Sequence, residues 1–199
     1  MPDFLDHNFF DRHHLDVARD LVGSTLIWGK TAGTVVETEA YAATGDTACH
    51  VYTRPSSRDF FNTHPPGTAY VYLNYGIHWL LNVLAADGII LFRALEPTAG
   101  IPLMRRRRNR DKLTDLCSGP GKLGAALKLS SSHHGSTLTK HKYRGLVAAP
   151  APPAITATTR IGISSAQDFP WRFLLTGNPH TSVPPAGIKK SRSHSRERP

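Results

Sequence analysis

Apolar positions Phe9, Leu15, Val17 and Leu21, interleaved with polar ones and stopped at Gly23, predict an amphipathic helix over residues 8–20. Leu26-Ile27-Trp28 opens strand material, and the Val- and Thr-rich stretch 33–41 reads as a strand. Residues 42–67 lose all periodicity and fill with Gly, Pro, Ser and Thr, so a long loop is expected there. Loops of that length in compact domains are often functional. Residues 69–84 alternate as two strands joined at Asn74-Tyr75-Gly76, and 89–95 as another, entered through the turn Ala86-Asp87-Gly88. Thr98 is placed to cap a helix over 99–112, and a second helix starts at Ser118-Gly119-Pro120 and runs through Leu127. Residues 130–155, rich in Ser, His and Pro, read as an exposed connection. Residues 160–164 and 172–175 read as closing strands. There is no internal repeat and no internal domain boundary.

The strand over 33–41 carries the first chemical signal. Period-two alternation puts Val35, Glu37, Glu39 and Tyr41 on one face. Two carboxylates and a tyrosine in a row are poorly suited to an apolar core. On a solvated face they mean nothing; lining a pocket, one of them is placed to act as a general base. Spacing alone does not choose between Glu37 and Glu39. Tyr70 and Tyr72 share a face of the next strand, and Tyr75 falls at a tight turn, where a large ring stands in water unless the tip folds back. A wedge entering a base stack is the sharper reading of that tyrosine.

Composition narrows the classes. The chain has 199 residues, 40% of them apolar and 9% aromatic, which suits one domain with a real core. The N-terminus lacks the pattern of a signal peptide, and no apolar run reaches the length of a membrane span. Cys49 and Cys117 are too few for a disulfide framework and lack metal-ligand spacing, which points to a reducing compartment. The formal net charge of +9 favours polyanionic partners. Residues 187–199 supply +4 of it, and much of the remainder lies in Arg105-Arg106-Arg107-Arg108 and Arg110.

Five segments in order then become recognisable: Val36-Glu37-Thr38-Glu39-Ala40-Tyr41 with His50; Gly67-Thr68-Ala69-Tyr70-Val71-Tyr72-Leu73-Asn74-Tyr75-Gly76; Asn82; Arg93-Ala94-Leu95-Glu96-Pro97; and Leu116-Cys117-Ser118-Gly119-Pro120-Gly121-Lys122-Leu123. Together they resemble the alkyladenine (3-methyladenine) DNA glycosylase family. The resemblance covers residues 8 to about 183 and is strongest over 33–123. It implies an α+β fold: a single domain of mostly antiparallel, curved sheet with a protruding β-hairpin and flanking helices. The domain is expected over 1–186, with 187–199 a basic, disordered tail.

The resemblance also assigns roles. Glu39 rather than Glu37 is the general base that activates water, and Arg93 with the backbone carbonyl of Ile161 positions that water. Tyr41, His50 and Tyr72 form the pocket around a flipped base. Asn82 stands at the pocket wall, against guanine's exocyclic amine, and Leu91 packs near the extruded base. Tyr75 fills the gap left in the duplex. The chemistry is consistent, since base excision needs an extruded nucleotide, an aromatic slot and an activated water. The implied enzyme is a monomer acting on double-stranded DNA with damaged purines. It needs no cofactor and no metal, and it works in the bacterial cytoplasm with the nucleoid rather than at a membrane. No lysine occurs between Lys30 and Lys112, the stretch holding the cluster, so a water-using mechanism without a Schiff base is expected.

Other features have plainer alternatives. Arg105, Arg106 and Arg108 are candidate phosphate contacts or simply a solvated helix face, and the helix start at Lys122 is a candidate phosphate site or simply a cap. His13-His14 and His133-His134 lack partners at ligand spacing and read as surface histidines. Asp87-Gly88 reads as a turn alone. Ser57-Arg58-Asp59 departs from the family pattern. Two further classes compete: a lesion-binding protein without catalysis, which has no need of Glu39 and Arg93 together, and an RNA-binding module, for which the ordered segments are coincidence.

Overall fold

The computed structural model describes residues 3–139 and 143–184. The basic tail expected over 187–199 lies outside them. The chain begins with two short helices, α1 (His7–Phe10) and α2 (His14–Asp20), where one was expected. Each has its own cap. The Asp6 carboxylate accepts from the Phe9 amide at 3.1 Å, and Asp87 accepts from the His14 amide at 2.7 Å. The break lets Phe10 and Val17 both reach the core.

The hairpin β1 (Thr25–Trp28) and β2 (Thr31–Ala42) follows. Two helices then occupy the stretch expected to be loop: α3 (His50–Thr53) and α4 (Pro55–Thr63). Proline at the first helical position of α4 suits its fixed φ, but this helix fully buries only Ser57, so it leaves no apolar stripe to detect. Next come β3 (Ala69–Asn74), β4 (His78–Leu84) and β5 (Gly88–Ala99). Because β5 runs on to Ala99, helix α5 (Ile101–Arg108) is entered through Gly100 at φ 68°, not capped by Thr98. Helix α6 (Pro120–Leu127) stands where expected. The stretch 130–155 is not merely a connection, since it holds β6 (Arg144–Val147). The closing strands are β7 (Ile155–Thr158) and β8 (Arg172–Leu175); residues 160–164 are irregular.

These strands form one curved antiparallel sheet in the order β3-β4-β5-β2-β1-β6, with β8 pairing both β2 and β7. Helices flank it and the β3–β4 hairpin protrudes, so the fold is the expected single-domain α+β arrangement. Strand β2 is its spine. One edge pairs with β5 along residues 32–42; the other pairs first with β1 and then, from Glu37 to Glu39, with β8.

The register of β2 against β5 shifts between Val35 and Glu37 and again between Glu37 and Thr38. This bulge overturns the simple alternation read from sequence. Val35 packs in the main core with Ala40, Phe92 and Leu95, while Glu37, Glu39 and Tyr41 go to the other face. There a second cluster forms from Tyr41, Cys49, Val51, Tyr70, Leu80, Leu84, Ile89 and Leu91.

Helix α6 lies so close to β4 that a Cβ on Gly124 would strike the Trp79 carbonyl. Gly124→Ala is expected to cost about 1–3 kcal/mol of stability, read from the urea midpoint. An unchanged midpoint would show that α6 can slide off the strand.

Candidate functional site

The curved face of the second cluster opens into a cavity of about 520 Å³. Tyr41 and Arg93 reach it from the adjacent strands β2 and β5, Tyr72 from β3, Asn82 from β4 and Leu91 from β5. His50 enters from the first turn of α3, and Ile161 from the irregular segment between β7 and β8. Arg54, Tyr75 and Pro120 also line it. All the residues expected in a base pocket are therefore brought together.

Glu39 sits fully buried directly behind the lining. Three groups that do line the cavity donate to it: Tyr41 Oη to Oε2 at 2.8 Å, Arg93 Nη1 to Oε2 at 3.1 Å, and the Ile161 amide to Oε1 at 2.7 Å. The backbone group of Ile161 that touches the carboxylate is thus its N–H. Burial pushes the Glu39 carboxyl above its ordinary range, against the pull of Arg93, the Ile161 amide and the Tyr41 hydroxyl.

Glu37, the rival carboxylate, is consumed by structure. It accepts from Arg93 Nε at 2.9 Å, from the Ser182 amide at 2.6 Å and from Ser182 Oγ at 2.7 Å, with Arg172 Nη1 at 3.7 Å. Arg93 is therefore bracketed by both carboxylates. Burial works against its charge, but Glu39 and Glu37 more than compensate, and its pKa is raised.

The aromatic walls are uncharged. His50 meets the Tyr72 ring edge-on at 4.5 Å between centroids, and its Nδ1 lies 3.3 Å from the Tyr70 hydroxyl. Tyr70 Oη also bonds Ser57 Oγ at 2.8 Å, so the Ser57 of the departure from the family pattern supports the pocket wall, while Asp59 is exposed. Burial pushes the Tyr72 phenol up to about 12 and, with Arg54 nearby, His50 down to about 4. Asn82 is fixed by its side-chain amide, which donates to the Tyr70 carbonyl at 3.0 Å.

Tyr75 is 84% exposed at the hairpin tip. It and Gly76 both have positive φ, and Ile77 N–H donates to the Asn74 carbonyl, as a primed hairpin turn requires. The tip does not fold back. Ile77 beside it is 70% exposed.

Other expectations fall elsewhere. Arg105, Arg106, Arg108 and Lys122 do not line the cavity. Arg105 donates to the Asp111 carbonyl, Arg108 to the Leu116 carbonyl, and Lys122 to Ser118 Oγ. His13 and His14 are not isolated surface histidines, nor is Asp87 only a turn residue. Asp87 Oδ1 lies 3.0 Å from His14 Nδ1 and Oδ2 lies 3.3 Å from His13 Nε2, 73 positions away along the chain for His14. Cys49 is buried, with its thiol pushed up to about 11 by desolvation. Sequence reasoning missed Ser182, Arg172, Arg160 and Asp46, whose partners in and around the site lie too far along the chain to leave a local signal.

A family model described as methylpurine-DNA glycosylase matches residues 8–179. The chain is 44% identical over 184 residues to a protein of Rhodopseudomonas palustris (strain HaA2) named "Putative 3-methyladenine DNA glycosylase", covering 90% of each chain. Proteins of the same name from Rubrobacter xylanophilus and Agrobacterium fabrum are 46% and 44% identical, over 85% and 88% of this chain and 92% and 90% of theirs.

His50 is expected to titrate near pH 4 rather than at the ordinary 6.5. Because its folded pKa is depressed, its burial costs stability progressively as pH falls from 6.5 toward 4. Ring chemical shifts followed by NMR check this; a midpoint at 6.5 would mean that the ring leaves the slot.

Proposed function

The chain belongs to the methylpurine-DNA glycosylase family and is a DNA glycosylase of DNA repair, and we propose that it flips alkylated or deaminated purines from duplex DNA and hydrolyses their N-glycosidic bond with water activated by Glu39. The proposed substrates are 3-methyladenine, 7-methylguanine, hypoxanthine and ethenoadenine. The observation that carries this reading is the count of donors on Glu39. An ionised carboxylate offers about four lone-pair positions. Three are taken, one on Oε1 and two on Oε2. The position left on Oε1 can accept a proton from a water that passes the lining beside Arg93 and Ile161.

A buried carboxylate with a raised pKa is a better proton acceptor than an exposed one, provided it stays ionised, and Arg93 favours the ionised form. The water oxygen attacks the anomeric carbon as the purine leaves, and Glu39 takes the water proton. A positioned base of this kind contributes about 10²–10⁴-fold in rate. Cationic lesions leave readily and gain from the electron-rich faces of Tyr41 and Tyr72. Stacking is worth about 1–3 kcal/mol per base, enough to offset much of the unstacking cost of a few kcal/mol.

His50, held neutral, supplies a hydrogen bond to the base rather than a charge. Asn82, fixed by Tyr70, disfavours the exocyclic amine of undamaged guanine, a penalty that 7-methylguanine offsets because its cationic base leaves readily. Tyr75 fills the vacated stack, its ring already presented by the turn. The lysine-free stretch between Lys30 and Lys112 supports base release without a covalent amine intermediate.

Glu39→Gln is expected to abolish release of free base from a lesion-bearing duplex while leaving duplex binding largely intact; release at the wild-type rate would remove Glu39 from its role. Tyr75→Ser is expected to weaken binding to lesion duplexes more than to single strands. Equal losses in a paired titration would contradict the wedge.

A further inference from the structure

On the reading that Glu39 activates the water, we infer that Arg160, locked by Asp46, is a positioning residue for that base, acting through the Ile161 amide and the Tyr41 ring. The two side chains are completely buried and paired through both terminal guanidinium nitrogens, Nη1 to Oδ2 at 2.5 Å and Nη2 to Oδ1 at 3.0 Å. Planar two-point pairing fixes orientation as well as distance. Each partner also holds backbone. Arg160 Nη1 donates to the Ala40 carbonyl at 3.1 Å and Nη2 to the Ala166 carbonyl at 3.0 Å. Asp46 accepts from the Ala42 and Ala48 amides at 3.2 and 3.0 Å.

Three pieces of chain meet at this pair. One is the end of β2, which carries Glu39 and Tyr41. A second is the segment from Asp46 into α3, which carries His50. The third is the irregular segment after β7, whose Ile161, Gly162 and Ile163 form a wall of the cavity. That third segment has no strand ladder to hold it. Ile161 nevertheless donates to Glu39 Oε1 at 2.7 Å, and it is the residue next to Arg160. The guanidinium also lies 4.6 Å from the Tyr41 ring centroid and 5.1 Å from that of Trp171, so it presses on the ring whose hydroxyl reaches Glu39 Oε2. Two of the three donors to the base thus depend on one side chain that does not touch it.

The consequence is visible in acidity. Glu37 and Tyr41 on β2, Arg93 on β5, Tyr72 on β3, Arg172 on β8 and the Ile161 amide all act on Glu39. The Ile161 and Tyr41 hydrogen bonds both favour its anion. Loosening them moves the Glu39 carboxyl further up, so less of it is ionised at a given pH, and the acid limb of the rate profile moves to higher pH.

The test uses the full chain with Asp46→Asn, Arg160→Lys and Glu39→Gln. Methylated duplex DNA is the substrate, released 3-methyladenine is measured in single turnover from pH 4 to 9, and duplex affinity and thermal midpoint are measured beside it. Asp46→Asn keeps the shape and removes the charge; Arg160→Lys keeps the charge and removes the fork. Both are expected to lower the release rate about 10–100-fold, as a misplaced reacting group does, to retain duplex affinity, and to shift the acid limb upward. Folded variants with wild-type rate and an unmoved acid limb overturn the inference, as does an Asp46→Asn chain too unstable to assay, which makes the pair purely structural. Either result with Glu39→Gln inactive leaves the base assignment standing. Release by Glu39→Gln at the wild-type rate removes the assignment itself.

Discussion

Everything in this molecule is arranged around a buried guanidinium between two buried carboxylates. Arg93 bonds Glu37 with one nitrogen and Glu39 with another, and Arg172 completes the balance of charge beside Glu37. Each of these ions costs several kcal/mol to take out of water. The set survives only because the charges cancel and, one position on Glu39 Oε1 apart, the remaining lone pairs are met by Ser182, Tyr41 and Ile161. Removing one member of such a set typically costs about 3–5 kcal/mol, because a charge is then stranded. The cluster therefore dictates where the chain must go. Strands β2 and β5 have to be neighbours, β8 must pair with β2 at Glu37, and the segment beyond β8 must return to place Ser182 against it.

Above this charged floor the aromatic walls of the cavity are neutral. Tyr72 keeps its proton and His50 sheds its second one through the whole physiological range, chiefly because both are buried, with Arg54 adding to the effect on His50. On the proposed reading, a cationic purine entering the slot meets the ring faces of Tyr41 and Tyr72 and an uncharged His50, with Arg93 already paired to Glu37 and Glu39. The counter-charge it needs lies one layer deeper, on Glu39. Walls that bind and a floor that reacts are thus separated by a single layer of side chains.

Strands β1 to β5 and β8, the protruding hairpin and helix α6 were legible in the sequence because each follows a local period or turn rule, whereas β6 and β7 were not. Tyr41, Tyr72, Asn82 and Arg93 were legible as a set through the ordered segments they belong to, and Leu91 only through what the resemblance implies. What could not be read locally has a common cause, namely partners far apart in the chain. Ser182 lies 145 positions from Glu37, and Arg160 lies 114 from Asp46. Helices α3 and α4 escaped because they bury little apolar surface of their own. The Asp87 contacts escaped because capping of α2 comes from a turn 73 residues later. Alternation assigned Val35 to the wrong face because a bulge adds a residue to the count.

That bulge between Val35 and Glu37 is the place where β2 changes allegiance. Up to it Val35 faces the apolar interior; past it Glu37, Glu39 and Tyr41 face the cavity side while Ala40 keeps to the core. Chain length on either side is consequently not interchangeable. Deleting the extra residue at this point would restore regular pleating with Val35 still in the core and the acidic positions still opposite, whereas flattening the bulge while keeping every residue would swing the acidic positions toward Phe92 and the main core. An insertion or deletion out on the solvent side of the sheet alters a loop, but within this strand a codon gained or lost inverts every position beyond it unless a bulge absorbs the change.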